Sequence, residues 1–374
     1  MKLTARQLLS IDRWFSPLNR LVRGRNYRAG LKKTGSGDVA IIKLMGLGSI
    51  IRLLSLCHES NVDLSRVILI TFASNREACR LLKVDRALFI RTDSALHFVR
   101  DCIAVLFSVV RIKPYLIIDF ERCSNSVALY RRCLSIAGGS STLGFDEFIT
   151  VSTTRHTVFN VNAFTFHQML LRGIECMQKK VAGEPAKKSR ENSSKVVVNI
   201  NCSEYLLARR YPRDLFKALI VKLNHRMENA IFYLTGAASE RAYVEELASA
   251  LHQSGVRIHN VAGKWTLTEL YGILLTSRLF VSGDSGPLHL AIYLGVPTLA
   301  IWGPTRPQHF GYVDTDSLVN VSMDLPCAPC FTNPHSTPAV ACKGKITCLS
   351  ELSPEAILLS ADRLLLQIPQ LATW

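Results

Sequence analysis

The feature that most limits the fold of this chain is an alternation of short β-branched runs with stretches of helical period, interrupted once by a polar segment. Val39–Met45, Val67–Phe72 and Tyr115–Phe120 are compact apolar runs, and the amphipathic stretch Ile50–His58 and a long helical region lie between them. Runs without internal polar alternation suit strands buried on both faces of a parallel sheet, with helices as crossovers. The polar residues 181–194, VAGEPAKKSRENSS, contain almost no large apolar side chain and read as a linker. Beyond them the alternation restarts. Lys195–Ile200, Ala230–Thr235, Arg257–Val261, Leu279–Ser282 and Thr298–Trp302 read as strands. Pro212–Leu223, Ser239–Leu251, Thr266–Thr276 and a stretch from Ser285 read as helices. A length of 374 residues fits two such α/β halves. Two doubly wound domains facing a cleft are expected, with ligands at the carboxyl ends of the strands. The expected boundaries are 1–36 for an N-terminal segment, 37–182 and 195–353 for the domains, and 183–194 for the linker. A final helix within 354–374 is expected to cross back to the N-terminal domain.

Lysines and arginines outnumber acids 45 to 29, a formal charge of +16. The excess is either a solvated basic surface or the complement of an anionic partner. No aromatic-interleaved basic signature accompanies it, so nucleic acid is not expected. Residues 1–36 place Arg6, Arg13, Arg20, Arg23, Arg25 and Arg28 among Leu8, Leu9, Ile11, Trp14, Phe15 and Leu18. That pattern reads as an amphipathic stretch that lies on an anionic membrane or packs on the protein's own surface. No apolar run reaches the roughly 18 residues of a bilayer span. The charges at Arg6, Asp12 and Arg13 interrupt any signal-type apolar core. A cytoplasmic protein, peripheral on the inner face of the inner membrane, is expected.

The motif richest in chemistry is Gly283-Asp284-Ser285-Gly286-Pro287-Leu288-His289, entered from a strand and leading into a helix. Such a helix start presents unpaired amides and a positive dipole end, a natural phosphate site. Gly286 lets an anion approach the backbone, and His289 adds a donor or a charge one turn in. Asp284 either caps the helix or orients its neighbours. Further on, Cys327, Cys330, Cys342 and Cys348 form C-x2-C-x11-C-x5-C within 327–348. Four thiolates at this spacing either hold a structural zinc or iron or belong to a metal-free loop.

The run SGDSGPLHLAIYLGVPTLAIWGPTRPQHFGY closely resembles the signature of glycosyltransferase family 9, the bacterial ADP-heptose:lipopolysaccharide heptosyltransferases. The resemblance implies a GT-B-type fold of two Rossmann-like domains. It also implies inverting transfer of a sugar, heptose in the first instance, from ADP-heptose to a lipopolysaccharide-core or other glycan acceptor, with no cofactor for transfer. It carries donor roles to Asp284, Ser285, Gly286 and His289. Arg209, in Arg209-Arg210-Tyr211-Pro212, corresponds to the family's phosphate-binding cation. Glu240 follows the strand that ends in Leu234-Thr235-Gly236 and corresponds to a ribose-holding acid. Trp265 either lines the adenine or is a core aromatic. Thr305, after Gly303-Pro304, is expected at the cleft rim with Lys43 opposite. In the N-terminal half, Lys43-Leu44-Met45-Gly46-Leu47-Gly48-Ser49 aligns with a turn that ends in Gly-Asp in the family, where Asp is the general base. Here Ser49 stands instead of Asp, and a serine hydroxyl is no base near neutral pH. Glu121, after the strand Tyr115–Phe120, is then the substitute base or else a structural ion-pair partner. Two other expectations remain open, a catalytically inactive nucleotide-sugar-binding homologue and a protein-modifying transferase of the same family.

Overall fold

The computed structural model describes residues 37–59, 62–121, 125–144, 193–202, 204–310, 312–330, 342 and 346–367. The N-terminal segment, nearly all of the linker and residues 331–341 of the cysteine-rich loop lie outside the described residues. The chain divides into two units, Met1–Gly183 and Glu184–Trp374, so the boundary falls in the polar segment.

The first unit runs β1 (Val39–Ile42), α1 (Leu47–Glu59), β2 (Val67–Phe72), α2 (Arg76–Leu81), β3 (Ala87–Ile90), α3 (Ala95–Ile112), β4 (Leu116–Asp119), α4 (Asn125–Gly138) and β5 (Ser141–Gly144). Its five strands are parallel, in the order β3-β2-β1-β4-β5. Every residue of β1, β2 and β4 is buried, which is why these strands read as unbroken apolar runs. β1 ends at Ile42, three residues short of the expected Met45, because the chain turns at Lys43–Gly46.

The second unit runs β6 (Lys195–Asn199), α5 (Arg213–Arg226), β7 (Ile231–Thr235), α6 (Arg241–His252), β8 (Ile258–Asn260), α7 (Leu267–Leu275), β9 (Leu279–Gly283), α8 (Gly286–Tyr293), β10 (Thr298–Trp302), β11 (Leu318–Ser322), α9 (Thr347–Ser350) and α10 (Pro354–Gln367). Its six parallel strands are ordered β11-β10-β9-β6-β7-β8. In both units the order reverses beside the first strand, giving doubly wound sheets with switch points at β1/β4 and β6/β9.

The final helix packs on the second unit. Ile357, Leu358, Ala361, Leu364 and Leu365 of α10 join the core of the second unit with Phe216, Leu219 and Leu223 of α5. Tyr211 Oη donates to Leu352 O at 2.7 Å just before the helix, and Arg363 pairs with Asp316. The apolar face of α10 therefore contributes to the core of its own unit. Among the described residues, no helix is long and apolar enough to cross a membrane.

Candidate functional site

The switch point of the second unit is built around Asp284. β9 delivers this residue at the carboxyl edge of the sheet, and Ser285 turns the chain into α8. Ser285 is the helix cap, its Oγ accepting from Leu288 N at 3.3 Å. Asp284 takes the other of its two expected roles and organises its surroundings. Its Oδ2 accepts from Arg209 Nη1 at 3.0 Å and from Thr305 Oγ1 at 2.8 Å, while His289 Nε2 lies 3.5 Å from Oδ1. Burial alone would raise the Asp284 carboxyl. The charge of Arg209, with His289 and Thr305, outweighs burial and holds it well below the usual carboxylate range. Thr305 is buried beneath the turn rather than at a rim, because its hydroxyl is drawn onto Asp284.

The arginine pair is anchored by the next residue in the chain. Tyr211 is fully buried, with its ring edge-on to Phe216 at 5.0 Å, and this fixes the turn that carries Arg209 and Arg210. A Cβ on Gly283 would come within 3.2 Å of Arg209 O, so the glycine permits the approach of the two segments. The Arg210 guanidinium lies 4.1 Å over the Tyr243 ring and 3.6 Å from Glu240 Oε1. The Nε atoms of both Arg209 and Arg210 are buried and find no hydrogen-bond acceptor among the described residues. Orphaned buried guanidinium donors are costly unless an anion meets them. Around them the surface opens at Gly286 and Pro287, which are half-exposed, whereas Gly283–Ser285 and Leu288–Leu290 are buried.

The adjoining loop carries the residues expected near a nucleoside. Glu240 Oε2 accepts from Ala237 N at 2.8 Å, closing the turn after β7. A Cβ at Gly236 would meet Asn201 Nδ2 at 2.6 Å, and one at Gly263 (φ +69°) would meet Ala238 Cα at 2.7 Å. Both glycines are required for the two loops to lie against each other, joined by Gly263 N donating to Gly236 O at 2.9 Å. Trp265 is half-buried and packs on Tyr233 at 5.6 Å between ring centroids, so at least one of its faces has a protein partner.

The switch point of the first unit has a different character. Lys43 and Glu121 come together as a buried pair, Nζ to Oε2 2.9 Å. Glu121 Oε1 also accepts from Leu44 N at 2.6 Å and Met45 N at 2.7 Å. Asn75 Nδ2 holds Leu44 O at 2.9 Å, and Asp119 Oδ1 holds Glu121 N at 2.7 Å. Glu121 is therefore ion-paired with Lys43, and Arg122, the adjacent cation, lies outside the described residues. Oε1 is thus filled by two amides, while Oε2, beside the ammonium, keeps one acceptor position. Gly48 is buried and Ser49 half-buried at the start of α1, and a Cβ at Gly46 (φ +85°) would lie 3.2 Å from Ser49 Oγ.

Of the four late cysteines, Cys327 is exposed, Cys330 and Cys342 half-buried and Cys348 buried. Burial pushes the Cys348 thiol up to about 11, and the other three thiols add to the shift. Among the described residues no group of three or more potential ligands is arranged to hold a metal. The cysteines sit against the functional turn. Cys330 N donates to Pro304 O at 3.1 Å, and Leu349 packs so closely on Gly303 that a Cβ there would be 2.5 Å from its Cγ.

Sequence reasoning missed Tyr312. Its Oη is 2.7 Å from His289 Nδ1, which leaves Nε2 turned toward Asp284. It closes the long motif run, but no spacing rule links it to a histidine 23 positions earlier. Arg210 was likewise read only as the neighbour of Arg209.

Residues 167–341 match the family model described as Glycosyltransferase family 9 (heptosyltransferase). Lipooligosaccharide heptosyltransferase 2 of Campylobacter jejuni is 28% identical over 158 residues, covering 42% of this chain and 47% of that protein. Lipopolysaccharide heptosyltransferase 1 of Pseudomonas aeruginosa is 36% identical over 96 residues, 26% of this chain and 25% of that one. The chain thus spans about half the length, or less, of the curated relatives it matches. Among solved structures, a family 9 glycosyl transferase from Veillonella parvula superposes with a TM-score of 0.65 at 15% identity, covering 88% of this chain and 98% of that one. ADP-heptose lps heptosyltransferase II of E. coli does so with a TM-score of 0.59 at 16% identity, covering 88% and 99%. These likenesses show the GT-B fold of two Rossmann-like domains.

Proposed function

We propose that this chain, which belongs to glycosyltransferase family 9, transfers a sugar from a nucleoside diphosphate donor and binds that donor on its second unit. One observation carries the reading: two half-buried arginines, whose Nε atoms are buried with no acceptor among the described residues, stand beside the capped start of α8. Pro287 has no N–H, and Leu288 donates to Ser285 Oγ. The amides a diphosphate would meet are therefore those of Ser285 and Gly286. Arg209 and Arg210 would supply the countercharge, with Asp284, Thr305 and His289 fixing Arg209 in place. Glu240 and Trp265 border the position of the nucleoside.

The reaction is read as a single displacement. The acceptor oxygen bonds to the anomeric carbon, the bond from that carbon to the diphosphate breaks, the nucleoside diphosphate leaves, and the hydroxyl proton passes to a base. Heptose, ADP and a lipopolysaccharide-core acceptor are the donor and acceptor favoured by the relatives' names. An anionic glycolipid also suits the charge of +16 and the basic residues 1–36. Incubating the protein with ADP-heptose and heptose-deficient lipopolysaccharide, then weighing the glycolipid, tests the reading. A gain of one heptose is expected, and an unchanged mass across donors and acceptors would overturn it.

A second reading, a donor-binding homologue without transfer, is favoured by the first unit. Ser49 stands where the family has its acid, and Glu121 is engaged by Lys43 and two amides. Tight donor binding without transfer to any acceptor is its signature. Transfer that persists in Glu121→Gln would remove Glu121 from proton transfer.

A further inference from the structure

Helix α3 is apolar on more than the face that covers its own sheet, where Phe98, Leu106 and Ile112 pack against the core of the first unit. Its buried positions are Asp101, Val105 and Val109. Its outward face carries Leu96 (76% exposed), Val99 (53%), Ile103 (48%), Phe107 (68%) and Val110 (38%). Of the ten large apolar side chains exposed among the described residues, these five share one helix, and a sixth, Ile136, projects from the neighbouring α4. The spacings of three and four align them in one stripe about 21 Å long at 1.5 Å per residue. Scattered exposed apolar residues need no explanation, but a continuous stripe does.

The charges around the stripe have one sign. Arg100 and Arg111 are exposed on the same face, Lys113 caps the end of the helix, and Arg132 is half-exposed on α4. The only acid in α3 is Asp101, which Arg91 binds through both oxygens at 2.7 Å and which Arg100 Nε approaches at 3.8 Å, and α4 contains no acid. Asp93, just before the helix, is paired with His97.

From this juxtaposition we infer that α3, with the exposed end of α4, is a membrane-docking face that lies flat on an anionic bilayer. The apolar stripe enters the headgroup boundary, and Arg100, Arg111, Lys113 and Arg132 meet lipid phosphates. A second copy fits less well. An isologous contact sets the same patch against itself, bringing arginines together with no acid to receive them. The face belongs to the first unit, whereas the donor turn belongs to the second. Vesicle binding is read without donor or acceptor, so its failure leaves the transfer reading untouched.

The test floats the full chain with vesicles of phosphatidylcholine, alone or mixed with phosphatidylglycerol. The wild-type protein is expected to partition onto the mixed vesicles. The exposed-site variant Ile103→Glu/Phe107→Glu should lose about tenfold or more of that partitioning. Arg100→Gln/Arg111→Gln should lose several-fold on the mixed vesicles only. An unchanged melting temperature verifies folding, and the milder Phe107→Ser replaces the double variant if it does not hold. Undiminished binding by the apolar variants overturns the proposal. So does binding carried wholly by Arg20, Arg23 and Arg25, as read from their glutamine variant. A dimer that the Phe107 variants split, without any change in vesicle binding, assigns the face to self-association and also overturns it.

Discussion

The two switch points of this chain are built on the same plan, a parallel strand, a glycine-bearing turn and a helix, yet their charges are arranged in opposite ways. In the first unit the turn is closed on itself. Lys43 is paired with Glu121, and the same carboxylate accepts the amides of Leu44 and Met45. In the second unit the acid organises cations without exhausting them: Asp284 holds Arg209 through one nitrogen, and the Nε of Arg209 and of Arg210 have no acceptor among the described residues. A satisfied network makes a rigid support, whereas a network with donors left over makes a ligand site. The proposed donor site rests on the second arrangement, and the first offers no equivalent set of spare donors.

The largest expected effect breaks the closed turn. Glu121→Leu strands a buried ammonium and two amides, and should destabilise the first unit by about 3–5 kcal/mol, read by thermal or denaturant unfolding. Donor binding by whatever protein remains folded should be unchanged. A full-stability variant would show that the Lys43–Glu121 pair is dispensable.

Next comes the open turn. Arg209→Ala should weaken nucleoside diphosphate binding by about 1.5–3 kcal/mol, roughly ten- to a hundredfold, as measured by calorimetry. Arg209→Lys should recover only part of this, because a point charge does not replace the planar fork.

The ionic core of the second unit should also show in its acid response. Partners hold the Asp284 carboxyl below its unfolded value despite burial. Its ionised form therefore contributes stability above the ordinary carboxylate value of about 3.9, and that contribution is lost as pH falls through the lower folded value. The difference in melting temperature between wild type and Asp284→Asn should accordingly be widest near neutrality and shrink with acidification. A difference independent of pH would mean that Asp284 is not ionised in the fold.

The smallest effect sharpens the comparison at His289. Tyr312→Phe removes one buried hydrogen bond, worth about 1 kcal/mol, and frees the ring to rotate. Donor affinity should fall a few-fold with a shifted pH profile, while the unfolding of the first unit stays as it was.

Much of this contrast is already written in the sequence. Fully buried strands announce themselves as apolar runs, and Gly283–His289 is a local motif whose helix start is set by Ser285 and Pro287. The remainder depends on pairings distant in sequence. Glu121 meets Leu44 across 77 residues, a separation that no local pattern discloses. β3 was missed because three of its four residues are only half-buried at a sheet edge. The periodicity of α10 disclosed an apolar face but not which core would receive it, and the second unit did.

The second unit as the donor site is the central claim, and titrating ADP into the full-length protein and its Arg209→Ala variant, by calorimetry at one salt concentration, tests it most directly. Saturable binding that the variant weakens by at least about tenfold is the expected result. Equal affinity in both proteins, or no binding to wild type, would contradict it.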